Sequence, residues 1–311
     1  MQATQTVRNI LEAYEGAPPG VKANLCRMLM AGRLGGTGRM VILPVDQGFE
    51  HGPARSFAVN PPAYDPWYHF RLALDAGLSA YAAPLGMLEA GADRFAGQIP
   101  TILKANSANS LMPSAATKDQ AVTASVNDAL RLGCAAIGFT VYPGSSGMLG
   151  MTEEIAEMSR EAKSKGVATV IWAYPRGEDL SREGETAIDV TAYAAHMAAL
   201  LGAHVIKVKL PSSHVEQEAA KSAYAGGGME VESMAERVRH VMRSSFDGRR
   251  IVVFSGGAKR DANSIFDDAR AIRDGGGNGY IIGRNCFQRP RDEALEMLDR
   301  VIGIFRSEDN S

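Results

Sequence analysis

Cysteine is scarce in this chain and scattered. Cys26, Cys134 and Cys286 are the only three in 311 residues, an odd number with no CxxC pair. That excludes a disulfide framework and a structural zinc ribbon, and it fits a reducing cytoplasm. No run of apolar residues approaches the roughly 18 needed to span a bilayer. The opening stretch "MQATQTVRNILEAYEG" carries acids on an amphipathic pattern, without the basic start and apolar core of a secretory signal. An excess of positive charge is also missing: 33 Lys and Arg against 35 Asp and Glu give a net charge of −2. No broad basic field invites nucleic acid or an anionic membrane. The six histidines (51, 69, 196, 204, 214 and 240) form no HxH or HExxH pair. A catalytic zinc needs three convergent ligands, so metal catalysis is not expected.

What the chain does have is alternation. Eight short apolar runs occur at 40–46, 78–84, 100–106, 135–142, 167–174, 204–210, 250–256 and 279–284. Longer helical patterns lie between most of them, at 119–132, 152–165, 186–201, 230–244 and 261–273, with a last one at 291–305. Strands alternating with helices imply a parallel sheet, and eight such units in one domain imply a (β/α)8 TIM barrel over residues 40–311. A doubly wound open sheet is the competing architecture. It would place a phosphate loop after the first strand, where "DQGFEHGP" stands instead of GxGxxG. Residues 1–39 read as an N-terminal helical extension that caps the barrel or meets another subunit.

In such a barrel the chemistry sits at the carboxyl ends of the strands. Those ends are polar here: Asp46 after the first, Lys104 and Asn106 on the third, Thr140 and Tyr142 on the fourth, and Trp172 and Tyr174 on one face of the fifth. The sixth, "HVIKVKL", puts Lys207 and Lys209 on the same face as Val205. An inward lysine is desolvated, and a second ammonium nearby further disfavours its charge; both free the amine as a nucleophile toward a carbonyl. Paired, inert lysines are the plain alternative, and periodicity alone does not choose between Lys207 and Lys209. Tyr174 and Asp46 are suited to moving protons beside such an amine. "FSGGAKRD" and "GGGNGYIIGRN" put Ser255, Gly256, Gly257, Gly283 and Arg284 after strands seven and eight, the usual phosphate position of these barrels, with Lys259 close by. His51 lies in a loop on the same side, where a plain hydrogen-bonding role is the simpler reading.

Taken together, "ILPVDQGFEHGP", "TVYPGS", "VIWAYPRG", "VIKVK", "FSGGAKRD" and "IIGRNCFQR" resemble the archaeal-type class I fructose-bisphosphate aldolases, a group also found in many bacteria. The match covers nearly the whole barrel, with the motifs in order. The resemblance implies a metal-independent lyase that needs no cofactor and forms a Schiff base on lysine. It implies Lys207 as the nucleophile, Tyr174 as the proton-transfer group, Trp172 as a wall of the site, and Asp46 as a sugar-hydroxyl contact or acid/base. It implies Ser255, Gly256, Gly257, Gly283 and Arg284 around a phosphate, Lys209 as an electrostatic neighbour and His51 at the rim. "DQG" stands where many archaeal members have "DHG", so a histidine role at Gln47 is excluded. A phosphorylated sugar substrate, a place in glycolysis or gluconeogenesis, a cytoplasmic location and a homo-oligomer, decamers included, follow from the same resemblance. Two relatives on this scaffold stand as alternatives: a 2-amino-3,7-dideoxy-D-threo-hept-6-ulosonate synthase and a thiolase acting on a phosphorylated dione. A non-catalytic sugar-phosphate sensor is a third; the intact lysine, tyrosine and aspartate set speaks against it.

Overall fold

A computed structural model describes residues 2–113, 116–226, 229–256 and 260–307. Gly257 and Lys259 lie outside the described residues. Eight strands form a closed barrel: β1 (Met40–Pro44), β2 (Ala80–Pro84), β3 (Thr101–Lys104), β4 (Ala136–Val141), β5 (Ala168–Ala173), β6 (Val205–Lys209), β7 (Ile251–Ser255) and β8 (Gly279–Ile281). Each pairs in parallel with its neighbours, and β8 closes on β1. The (β/α)8 architecture expected from the alternation is therefore the observed one. Most strands are buried along their whole length, because helices cover the outside while side chains fill the inside.

The alternation divides the apolar residues into two cores. Ile206 and Val208 of β6 join the outer core beneath the helices, whereas Val205 joins the inner core. Small residues (Ala80, Ala82, Ala136, Ala168) occupy several inner positions. They leave room for Trp172, the largest fully buried side chain.

The N-terminal helices Gln5–Glu12 and Pro19–Leu29 are packed under the barrel. Val7, Tyr14, Val21, Leu25, Met28 and Leu29 belong to the same core as Met40, Ile42, Val205 and Ile251. The extension thus covers apolar strand starts that would otherwise face water, each large side chain contributing about 1.5–3 kcal/mol when fully buried. Tyr14 fixes its position: its hydroxyl donates to the His204 carbonyl at 2.6 Å and accepts from the Ile251 amide at 2.8 Å.

The helix expected over 119–132 is shorter, Val126–Arg131. Ser125 and Asp128 form a capping box that starts it late. The preceding Ala121–Val122 instead pairs antiparallel with Asn106–Ser107 above β3. The helix Pro66–Asp75 was hidden in the aromatic-rich segment before β2. Its start is set by Pro66 and by the Asp65 side chain, which accepts from the Trp67 amide.

Candidate active site

The carboxyl ends of the strands gather the polar residues. Lys207 is 3% exposed on β6 and stands beside Trp172 in the register of β5 and β6. Its Nζ lies 5.2 Å from the Trp172 ring centroid and 5.3 Å from that of Tyr174. The position of Trp172 is set from the other side by β4: a Cβ on Gly138 would fall 2.1 Å from the indole, so only glycine fits there. Tyr174 Oη is 3.2 Å from Ser255 Oγ at the end of β7.

Three lysines face this mouth, and their surroundings differ. Lys104, 1% exposed at the end of β3, donates to both the backbone and the side-chain oxygen of Asn106. Asn106 is itself fixed by the Thr140 backbone. Burial pulls the Lys104 amine down to about 8; Asp46 and Glu50 oppose this, and Lys207 adds to it. Lys209 forms an ion pair with Glu185 at 2.9 Å. Lys207 makes no hydrogen bond or ion pair to any described residue. Of the three, it alone has an amine held only by aromatic faces, so its lone pair can be freed without breaking a polar contact.

Two carboxylates complete the mouth. Asp46 is buried just after β1, and its Oδ1 has no partner among the described residues. It precedes a one-turn helix, Gln47–His51, which brings Glu50 and His51 over the barrel. The Glu50 carboxyl is raised above the ordinary range, first by burial and then by Asp46; Lys104, Arg176 and Lys207 pull the other way. His51 is lowered, by burial first and by Arg55, Arg284 and Arg176 after it. Its Nε2 is 3.8 Å from Glu50. The sequence offers Lys104 and Arg176 only as candidates for a second phosphate and does not single out Glu50. The i, i+4 spacing of Asp46 and Glu50 in "DQGFE" was the available signal.

Arg176 stands over the Tyr142 ring at 5.1 Å and lines two cavities. One, of 420 Å³, is walled by Lys209, Ser255, Gly256, Arg260 and Arg284 among others. The other, of 320 Å³, is walled by Glu50, His51, Lys118 and Tyr142. Gly256 approaches a buried cluster so closely that a Cβ would meet Tyr280 Oη at 2.4 Å. In that cluster Asp268 accepts from Tyr280 Oη at 2.6 Å and pairs with Arg260. Gly283 lies against the Pro44 carbonyl, which brings the end of β8 beside that of β1. Asp46, Trp172, Tyr174, Lys207, Lys209, Ser255, Gly256 and Arg284 therefore all stand on one end of the barrel. Among the described residues, no group of three or more His, Cys, Asp and Glu could hold a metal ion.

A buried amine between aromatic rings, two carboxylates, a phenol and flanking cations can carry out carbonyl chemistry on an anionic substrate. The family model of DeoC/LacD family aldolases matches residues 40–289. The chain belongs to that family. It is 36% identical over 298 residues to a probable fructose-bisphosphate aldolase class 1 of Chlamydia muridarum, covering 92% of this chain and 84% of that one. It is 34% identical over 253 residues to the fructose-bisphosphate aldolase class 1 of Thermoproteus tenax, covering 81% and 84%. Among solved structures, an archaeal fructose-1,6-bisphosphate aldolase with its catalytic Lys covalently bound to the carbinolamine intermediate of the substrate superposes with a TM-score of 0.74. That pair is 30% identical over 91% of this chain and 98% of the other.

Proposed function

We propose that this family member is a class I fructose-bisphosphate aldolase, a lyase that reversibly cleaves fructose 1,6-bisphosphate to dihydroxyacetone phosphate and glyceraldehyde 3-phosphate. The observation that carries the reading is the environment of Lys207: buried, without a polar partner among the described residues, and flanked by Trp172 and Tyr174. The Lys207 amine adds to the C2 carbonyl of the open-chain ketose. Tyr174 delivers a proton to the carbinolamine hydroxyl, which leaves as water and gives the iminium. Removal of the C4 hydroxyl proton breaks the C3–C4 bond. The bonding pair moves to C3 as the enamine, with the iminium as electron sink, and the aldehyde departs. Tyr174 and Asp46 are the bases offered by the site, and Glu50 is a neighbouring carboxyl whose raised affinity for protons suits it to return one. Protonation at C3 and addition of water release the ketone and restore the amine.

Ser255, Gly256, Gly283 and Arg284 take one phosphate in this reading, with Lys209 beside it; Gly257 belongs to the same turn but lies outside the described residues. Arg176, which lines both cavities, and Lys104 are the candidates for the other. His51 stands at the rim, and Trp172 walls the iminium against water. The reaction needs no metal or other cofactor. The enzyme works in the cytoplasm in glycolysis or gluconeogenesis, as a homo-oligomer of up to decamer size. Among the described residues no helix is long and apolar enough to cross a membrane.

The deciding assay offers fructose 1,6-bisphosphate, fructose 1-phosphate and a phosphorylated dione, each with and without EDTA. Cleavage of the bisphosphate, unchanged by EDTA and fastest of the three, is expected. Preference for the dione with transfer of an acyl group, or activity lost to EDTA and restored by zinc, would overturn the reading.

A further inference from the structure

A cavity beside the barrel lies at the opposite end from the mouth. It measures 610 Å³ and is enclosed by the 12–17 segment of the extension, by Lys163, by 202–204 before β6, and by Phe246, Arg249 and Arg250 before β7. Three cations line it against two carboxylates, Glu12 and Glu15, both of which are exposed. None of Lys163, Arg249 and Arg250 pairs with a carboxylate among the described residues. The Arg250 guanidinium is held in place over the rings of Phe246 (4.9 Å) and Tyr14 (5.2 Å). Phe246 and Asp247 adopt left-handed backbone conformations (φ 59° and 54°), uncommon for a bulky side chain.

His204 supplies an independent observation. It is 3% exposed and lines this cavity. Its Nδ1 accepts from the Thr169 amide at 2.9 Å, so the neutral ring carries its proton on Nε2. No described residue accepts from that Nε2. Burial, helped by Lys163 and Arg250, holds the ring down to about 4, and it is neutral near pH 7. An N–H donor on this largely buried ring, open to the cavity and without an acceptor among the described residues, stands beside three cations without carboxylate partners there, a set suited to an oxyanion.

We propose that this cavity is a second ligand site, separate from the catalytic mouth, which takes a small multivalent oxyanion such as a phosphate group. His204 is three residues before Lys207, about 10 Å along the strand, so the site lies beneath the reacting centre and does not open into it. An anion here touches the ends of both β6 and β7 and the extension that Tyr14 ties to them. The test is local hydrogen exchange on the full chain with inorganic pyrophosphate as probe, at matched ionic strength. Pyrophosphate is expected to slow exchange in peptides covering 10–17 and 244–251. The double variant Lys163→Gln/Arg249→Gln is expected to lose that protection and to bind pyrophosphate at least tenfold more weakly at this site. Both side chains reach solvent and carry no polar contact to a described residue, so the variant is expected to fold. Lys165→Gln, which removes a nearby charge outside the cavity, is expected to keep the protection. Protection confined to the barrel mouth, or equal in the double variant and the native protein, would overturn the proposal.

Discussion

Lys207→Met is expected to lose on the order of 10⁴-fold or more in kcat, a barrier increase of about 5.5 kcal/mol. The loss should come without loss of the fold. Methionine has nearly the length of lysine, and the pocket that receives it is walled by Trp172 and Tyr174. Removing an amine that is 3% exposed and has no polar partner among the described residues relieves the cost of burying a polar group. The melting temperature of the variant should therefore equal or exceed that of the native protein. Catalysis and stability thus move in opposite directions at this residue, as expected where a strained or unpaired group is retained for function. Equal turnover by the variant and the native protein would remove the nucleophile from Lys207. Parallel assays of Lys104→Met and Lys209→Met then find its place. Lys104→Met should also lower stability, because it strips both donor contacts from Asn106, a link between β3 and β4.

Tyr174→Phe is expected to lower kcat by roughly a hundredfold to ten-thousandfold, the range for a lost general acid or base. KM should change little, because the phenyl ring keeps its face toward Lys207. The hydroxyl's other contact is with Ser255 Oγ at 3.2 Å, and Ser255 also donates to the Val208 carbonyl. Ser255→Ala consequently separates the two roles. If Tyr174 moves the proton, Ser255→Ala shifts KM through the phosphate side of the site and leaves most of kcat. Rates for Tyr174→Phe within a few-fold of the native enzyme would reduce the tyrosine to packing.

The barrel was legible because its strands are buried on both faces. Runs such as "MVILPV" and "RIVVF" need only be short, apolar and evenly spaced to be recognised. Lys207 and Lys209 were legible as a pair for the same reason: a period of two places both on the inner face. Which of the two has a free amine was not legible, since it depends on Glu185, 24 residues earlier in the chain, meeting Lys209. The tethering of Lys104 was not legible, because Asn106 and the strand that fixes it come together only in three dimensions. Glu50 was missed because "DQGFEHGP" reads as loop, whereas its first residues wind into one helical turn that carries the carboxyl back over Asp46. The cavity under the barrel was invisible for a similar reason. Its walls come from four separated segments, and the unpartnered nitrogen of His204 is a property of the strand pairing that consumes the other one.

Borohydride trapping tests the central claim most directly. Sodium borohydride, added to the protein with dihydroxyacetone phosphate, reduces an iminium to a stable secondary amine, and peptide mapping then locates the added mass. Lys207 and Lys209 are about 6.6 Å apart along the strand, and Lys104 is tied to Asn106, so one carbonyl held at one place should label a single lysine. A stoichiometric adduct on Lys207, absent from Lys207→Met, is the expected result. An adduct on Lys209 or Lys104 that persists in Lys207→Met would contradict the assignment of the nucleophile. No adduct on any lysine, in a protein that still cleaves the bisphosphate, would contradict the covalent mechanism itself.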